Sequence, residues 1–500
     1  MQELLILTLM LLLVVMLVLR HASVYTRLAA SVKSALARRL RQPAVVIKDR
    51  AAAHRLLVRG CTGGSFSNRP PSLVPTSVVS HLRHHNLTSV PYGPFWCVTR
   101  RNLTSGVFHP LRLHRYAAAR RDALCGLIAD LKEQCTSNPD GLVLAAESIR
   151  NAMFGLLATM CFGDGVDKGL IRAMADAQLE FVQIFPQLRV FARLPAVARL
   201  IHRKRWSKLV ALRRKQEEMY LPLIHARRNR PRHSGELPAY VDTLIDLWVP
   251  DDHNAYGRNA GKRRRQRRFT DGELVGMCAE FVGAGTETVA AELQWMMANL
   301  VKHPQMQAAV RSEIDAAVDA DAEEVGEQVL GKLEYLNAVI MEVLRLYPTV
   351  TLVVRQVSEE DDVVHDGRRI PAGTNVLFPP ESLARDRTAW ANPDEFRPER
   401  FLACRGGENM NLIAAAGGGG GEIRMMPFGT GRRGCPGMGV AMLHMGYFMA
   451  NLVKEFEWRE AEGGLAVDLR QHFGFFTVMK RPLHAHLVST QLEGPLRKIG

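Results

Sequence analysis

The stretch PFGTGRRGCPG (427–437) sets one cysteine, Cys435, among glycines and beside two arginines. A thiolate is a nucleophile and a metal ligand, and nearby positive charge or N–H groups keep it ionised. The run after it, GMGVAMLHMGYFMANLVKEF, has helical periodicity, so Cys435 stands just before a helix start. Free N–H groups and the helix dipole favour an anion there, and the glycines let backbone N–H groups turn toward sulfur. A second cluster is AGTETV (284–289). It places Glu287 beside Thr288, a carboxyl and a hydroxyl able to relay protons, after the small pair Ala284 and Gly285. Mid-helix Gly and Thr are poor helix formers, which marks the spot as functional.

The bland reading of any one cysteine is an inert buried thiol. Eight cysteines are scattered along the 500 residues, with no CxxC pair and no zinc spacing. GTGRRG (429–434) formally matches GxGxxG, the pattern of a nucleotide-binding oxidoreductase. EIRMMPF before it is a poor strand, however, and no second strand follows at the distance a βαβ unit needs. A metal-binding loop fits better. A haem iron can be held by one Cys thiolate whose electron donation favours O–O cleavage. Phe428 can cover such a ligand, and Arg433 can reach a haem propionate.

These clusters need elements to position them. TDGELVGMCAEFVGAGTETVAAELQWMMANLVKHP (270–304) reads as one long helix. Thr270 is its N-cap, Glu273 completes a capping box, and Pro304 follows its end. Residues 44–48 predict a short strand and 49–58 a helix; 61–95 are loop-rich, and 96–230 are mostly helical. Helices continue over 305–320 and 333–347, and strands follow near 353–357, 363–370 and 374–378 and again near the C-terminus. AAAGGGGGE (414–422) is low-complexity and reads as a disordered insertion. The fold class is α+β, mainly helical.

LLILTLMLLLVVMLVL (4–19) is apolar apart from Thr8, and basic residues follow it rather than precede it. That favours an uncleaved transmembrane signal-anchor with the body facing the cytosol. The expected organisation is an anchor over 1–21, a basic juxtamembrane linker over 22–41 and a catalytic domain over 42–490. The sequons at Asn86 and Asn102 would accept glycans only if the body were luminal. Net charge is +15, and GKRRRQRR (261–268) is the strongest basic run. No aromatic residues interleave there, so a solvated loop comes first and a docking patch for an acidic protein or membrane second; a nucleic-acid partner is not expected.

Phe428, Gly431, Arg433, Cys435 and Gly437 match the FxxGxRxCxG haem loop of the cytochromes P450, and the chain resembles that family from about 42 to 483. EVLR (342–345) matches the ExxR motif, PERF (398–401) follows, and AGTETV resembles the A/G-G-x-D/E-T-T/S motif with Val289 departing from it. WCVTR (96–100) resembles WxxxR. ANLVKHP, RMMPFGTGRRGCPG and ANLVKEFEW look most like family 89 of the plant A-type enzymes.

The resemblance implies a cytochrome P450 fold with haem b. Cys435 would be the axial iron ligand, with Phe428, Arg433, Gly437, Trp96, Arg100, Ala284 and Gly285 around the haem. Arg355 is a third propionate candidate, with a surface ion pair as its alternative. Glu342, Arg345 and Arg400 would form a buried structural triad. Ala284 and Gly285 would leave room for dioxygen, a local π-type bulge would free a carbonyl there, and Thr288 with Glu287 would activate O2. The implied activity is a haem-thiolate monooxygenase acting on a lipophilic small molecule in plant secondary metabolism. NADPH–cytochrome P450 reductase would be its partner, and the endoplasmic reticulum membrane, single-pass with a cytosolic catalytic domain, its location. The pocket would be lined by the loop before Trp96, by Phe281 and Ala284, by Thr349 to Val353, and near Phe475. An O2-independent haem-thiolate isomerase or dehydratase, and a truncated non-catalytic haem protein, are the alternatives. One departure stands out: RLAASVKSALARRLRQPAVVIKDR passes almost directly into what resembles the family's second strand, as if a first strand pairing with 44–48 were missing.

Overall fold

The computed structural model describes residues 44–59, 66–70, 86–191, 195–231, 239–251, 266–319, 321–358, 363–365, 367–405, 407, 410–418, 422–461 and 465–490. The expected anchor (1–21), the linker (22–41) and most of the basic run 261–268 lie outside these residues. Among the described residues no helix is long and apolar enough to cross a membrane.

The elements used below are β1 (Ala44–Val46), α1 (Pro94–Gly106), α2 (Ala117–Ser137), β2 (Leu142–Leu144), α3 (Ala145–Phe162), α4 (Lys168–Ile184), α5 (Arg203–Asn229) and α6 (Asp271–Lys302). They continue with α7 (Pro304–Ala317), α8 (Glu334–Leu346), β3 (Val353–Gln356), β4 (Asn375–Phe378), α9 (Met438–Glu455), β5 (Phe456–Glu460), β6 (Gln471–Phe473), β7 (Thr477–Met479) and β8 (His484–Ser489). The mainly helical α+β architecture is the one the sequence predicts.

Helix α6 is the axis of the molecule. Thr270 and Glu273 exchange the two hydrogen bonds of a capping box at its start, and His303 and Pro304 end it. It is buried on nearly every side, with Leu274, Cys278, Leu293, Trp295 and Leu300 in the main core. Such all-round burial belongs to a helix inside a large core rather than to an amphipathic surface helix. Gly285 shows how tightly it packs: a Cβ there would lie 2.7 Å from Leu157 Cδ1 of α3. Helix α8 starts without a cap of its own, and Glu313 of α7 accepts the N–H groups of Tyr335 (2.7 Å) and Leu336 (2.9 Å) instead.

One sheet has the order β1-β4-β3, with β1 parallel and β3 antiparallel to β4. A second places β8 between β2 and β5, and β6–β7 form a hairpin. Among the described residues nothing pairs with the outer side of β1, and Val46 there is 52% exposed.

Three local expectations need correction. Helix α6 runs unbroken as α-helix through 284–289, with no π-type bulge. The described π-turn is at Arg55–Arg59. The glycine-rich stretch is not a free insertion at its start: Asn411 caps Leu412–Ala415, Ala415 is buried, and Ala416 bridges to Ile423. The end of the basic run is also built in, since Arg267 pairs bidentately with Glu273 at 2.7 Å and Arg268 stacks on Trp248.

Candidate active site

The loop 427–437 turns tightly before α9. Gly429 and Gly431 sit at φ 65° and 71°, a region only glycine enters at no steric cost. Cys435 N–H donates to the Phe428 carbonyl at 2.8 Å, which closes the loop on itself and places Phe428 beside the cysteine. The Cys435 side chain is exposed by area yet surrounded by protein, so the sulfur forms part of a cavity wall. Burial pushes its pKa up, while the Gly437 N–H, Arg100 and Arg69 pull it down. A Cβ at Gly437 would lie 3.4 Å from Val440, 3.6 Å from Phe108 and 3.9 Å from Cys435 Sγ.

Ala284 is exposed in the middle of α6, while its neighbours Phe281, Val282 and Gly283 are buried. A long buried helix with one bared small residue is lining a space. Thr288 is on the same face one turn on, and its hydroxyl donates to the Ala284 carbonyl at 2.7 Å. That carbonyl is therefore held by Thr288 rather than freed by a bulge. Glu287 Oε1 is buried without a hydrogen-bond partner, with Arg150 Nη1 4.0 Å away. Burial raises the Glu287 pKa, and Arg150 opposes the rise. Gly285 is not on this cavity face: its missing side chain makes room for Leu157, so its evident role is helix packing.

A group of arginines gathers on the cysteine side. Arg100 donates to the Gly434 carbonyl at 2.7 Å and lies 5.6 Å from the Trp96 ring. Arg433 lies 4.6 Å from the same ring, and its guanidinium donates to the carbonyls of Ser67 (2.8 Å), Leu87 (3.0 Å) and Val90 (2.7 Å). The structure therefore shows Arg433 bracing the chain before Trp96. Arg355 is buried and donates to the Thr430 carbonyl at 3.2 Å, so it is no surface ion pair.

Arg69 lies in the loop-rich stretch 61–95. Its guanidinium reaches two carbonyls, of Thr88 and Arg433, at 3.5 Å each. Burial lowers its pKa, while Glu280 and Cys435 raise it. No pattern in NRPP announced it, because its surroundings come from residues far along the chain.

Glu280 of α6 carries no local sequence signal either. Its carboxylate accepts the N–H groups of Leu87 (2.5 Å) and Thr88 (2.9 Å), the segment that Arg433 holds by its carbonyls. Segment 86–90 is thus clamped from both sides by charged groups. Its Asn86 side chain accepts from Ser89, and the other sequon residue, Asn102, donates to Thr243 Oγ1 at 2.9 Å. Glu280→Ala should leave two N–H groups unpaired and cost about 2 kcal/mol. Urea unfolding should show that loss together with faster proteolytic nicking near 86–90; an unchanged midpoint and cleavage rate would contradict the clamp.

The Glu342 triad is assembled as expected. Arg345 Nε and Nη2 donate to Glu342 at 2.7 and 2.8 Å, Arg400 Nε donates at 3.1 Å, and all three side chains are buried. The arginines also hold the carbonyls of Ala384, Pro393, Ala391 and Asn392.

These residues fit a haem. One cysteine faces a cavity, a bared alanine faces one from α6, and Arg69, Arg100 and Arg433 lie close enough to lower one another's affinity for a proton. That excess positive charge suits the two carboxylates of a porphyrin.

The comparisons agree. The family model for cytochrome P450 matches residues 22–484. Cytochrome P450 89A9 of Arabidopsis thaliana is 36% identical over 450 residues, covering 89% of this chain and 84% of that protein. Tryptamine 5-hydroxylase of Oryza sativa is 31% identical (80% and 73% covered), and flavonoid 3'-monooxygenase of Petunia hybrida is 27% identical (84% and 79%). A zebrafish cytochrome P450 structure with progesterone superposes with a TM-score of 0.69 at 21% identity, over 89% of this chain and 93% of that one, which speaks for the fold. The chain belongs to the cytochrome P450 family, and its activity class is that of a P450 monooxygenase.

Proposed function

We propose that this is a membrane-anchored haem-thiolate monooxygenase that inserts one oxygen atom of O2 into a lipophilic small molecule. The other oxygen leaves as water, with two protons and two electrons. NADPH supplies the electrons through a separate reductase, and the chain is held by residues 1–21 in the endoplasmic reticulum membrane with its catalytic domain in the cytosol. The observation that carries the reading is the pairing of an accessible Cys435 with a bared Ala284 inside an otherwise buried interior.

Haem b, when bound, supplies the one-electron and dioxygen chemistry. Cys435 would hold its iron, and the Gly437 N–H and the nearby arginines oppose the rise that burial gives this thiol's pKa. Trp96, Arg100, Arg355, Arg433 and Arg69 would make the rim for its carboxylates, and Phe428 would cover Cys435. Thr288 turns its hydroxyl from the Ala284 carbonyl into the cavity to donate a proton there. Glu287, raised by burial and with one oxygen unpaired, restores that proton. The described pocket candidates are apolar or small: Phe281 stacks on Tyr240 at 4.6 Å, and Phe475 packs on Phe185 at 4.4 Å.

The test is turnover under ¹⁸O2 with NADPH, a plant P450 reductase and a panel of lipophilic aromatic and fatty-acid probes. One labelled atom in the product is expected. Thr288→Ala should cut product per NADPH by roughly tenfold or more while NADPH oxidation continues as peroxide release. Turnover without label, indifferent to Thr288→Ala and to O2, would point to an isomerase or dehydratase instead.

A further inference from the structure

Glu292 is a buried carboxyl on α6 that the chemistry above does not use. It follows Thr288 by four residues, so it lies one turn further along the same face. It is 5% exposed. Its Oε1 accepts two hydrogen bonds from a single residue, the N–H of Thr349 at 3.2 Å and the Thr349 hydroxyl. Its Oε2 is buried with no hydrogen-bond partner. Thr349 in turn gives its carbonyl to the Thr477 N–H at 2.8 Å, at the first residue of β7. Three residues beyond Glu292, Trp295 stacks on Tyr347 with centroids 4.2 Å apart and rings 8° from parallel. Helix α6 therefore grips the segment leading into β3 at two points, and through Thr349 it reaches the β6–β7 hairpin. Phe475 lies in the turn of that hairpin, 43% exposed.

We propose that Glu292 is a positioning residue that sets the shape of the substrate pocket, fixing the 349–353 segment and the Phe475 hairpin relative to the Ala284–Thr288 face and so selecting substrates by size. The proposal rests on the monooxygenase reading of the site. Hydrophobic packing alone would leave the Thr349 N–H and hydroxyl unpaired in the interior, and one carboxyl oxygen satisfies both. Burial raises the Glu292 pKa to about 8, so the group carries its proton at neutral pH and no charge is buried. A neutral carboxyl and an amide share the acceptor that Thr349 needs, which separates the conservative variant from the disruptive one.

The experiment titrates full-length protein in membranes with imidazole as a small probe and clotrimazole as a bulky one, reading the nitrogen-ligand shift of the haem spectrum. Glu292→Ala should tighten clotrimazole relative to imidazole by about tenfold, with haem content and the CO-bound band unchanged. Glu292→Gln should stay within about twofold of the native ratio. Thr349→Val, which keeps the N–H and loses the hydroxyl, should move the ratio the same way by about threefold, and it carries the test if Glu292→Ala fails to accumulate haem. A ratio unmoved in both Glu292→Ala and Thr349→Val, or Glu292→Gln as disruptive as alanine, would overturn the proposal. A native protein with no thiolate-type CO band would instead overturn the reading of the site on which it rests.

Discussion

Glu342→Ala should lose most of its folded, haem-loaded protein. Glu342 is wholly buried and is the carboxylate that two buried arginines share, Arg345 through two hydrogen bonds and Arg400 through one. It also accepts the Arg397 N–H at 2.8 Å. Removing one partner of a buried ion pair costs about 3–5 kcal/mol, because the remaining charge has nothing to replace it. Here two guanidinium groups are stranded, and the whole domain has only about 5–15 kcal/mol to lose.

The same arginines organise the irregular chain from 384 to 400. Arg345 holds the carbonyls of Ala384, Pro393 and Glu395, and Arg400 holds those of Ala391, Asn392 and Glu395. Asn392, at φ 47°, is in the left-handed region within that stretch. Trp390 continues the brace toward the cysteine loop by donating to the Arg424 carbonyl at 3.1 Å. Haem content per folded protein and the urea midpoint should therefore fall together. Glu342→Ala protein that loads haem fully and keeps the native midpoint would contradict the triad's role. Arg345→Lys should be nearly as damaging, since an ammonium cannot reproduce the bidentate fork.

Much of this arrangement was legible because its signals are local. The Thr270–Glu273 capping box, the glycines around Cys435 and the Glu342–Arg345 spacing each lie within a few residues, and each is found where the sequence puts it. Arg69, Glu280 and Glu292 were not legible because their partners are distant: Glu280 holds residues 87 and 88, and Glu292 holds residue 349. No local pattern distinguishes such a carboxyl from a solvated one. Gly285 misled for a related reason, since a glycine beside a small residue looks like space for a ligand until the facing Leu157 is known. Composition misled at 414–422. There Ala415 accepts the N–H groups of Arg424 and Met425, the Thr430 hydroxyl donates to Ala416, and His54 Nε2 is 3.3 Å from the Gly417 carbonyl. Long-range bonds hold Ala415, Ala416 and Gly417 in a stretch whose composition suggests no order.

The second large effect concerns Cys435. Burial raises the pKa of this thiol, and the Gly437 N–H, Arg100 and Arg69 only partly counter it. A metal bound to the sulfur displaces its proton and settles the balance toward thiolate. On the proposed reading Cys435→Ala removes the iron ligand and leaves the arginine group intact, so weak haem association can persist while thiolate ligation cannot. None of the other six described cysteines stands in a glycine loop before a helix: Cys161 and Cys278 are buried in the main core, Cys97 and Cys135 are half-buried against it, and Cys125 and Cys404 are exposed. The loss should therefore be complete rather than graded.

The decisive measurement is the reduced, CO-bound difference spectrum of the full-length protein in membranes, native and Cys435→Ala side by side. The account predicts a long-wavelength Soret band for the native protein and its disappearance in the variant. A native protein that binds haem but shows only the short-wavelength band, or a long-wavelength band that survives Cys435→Ala, would contradict it.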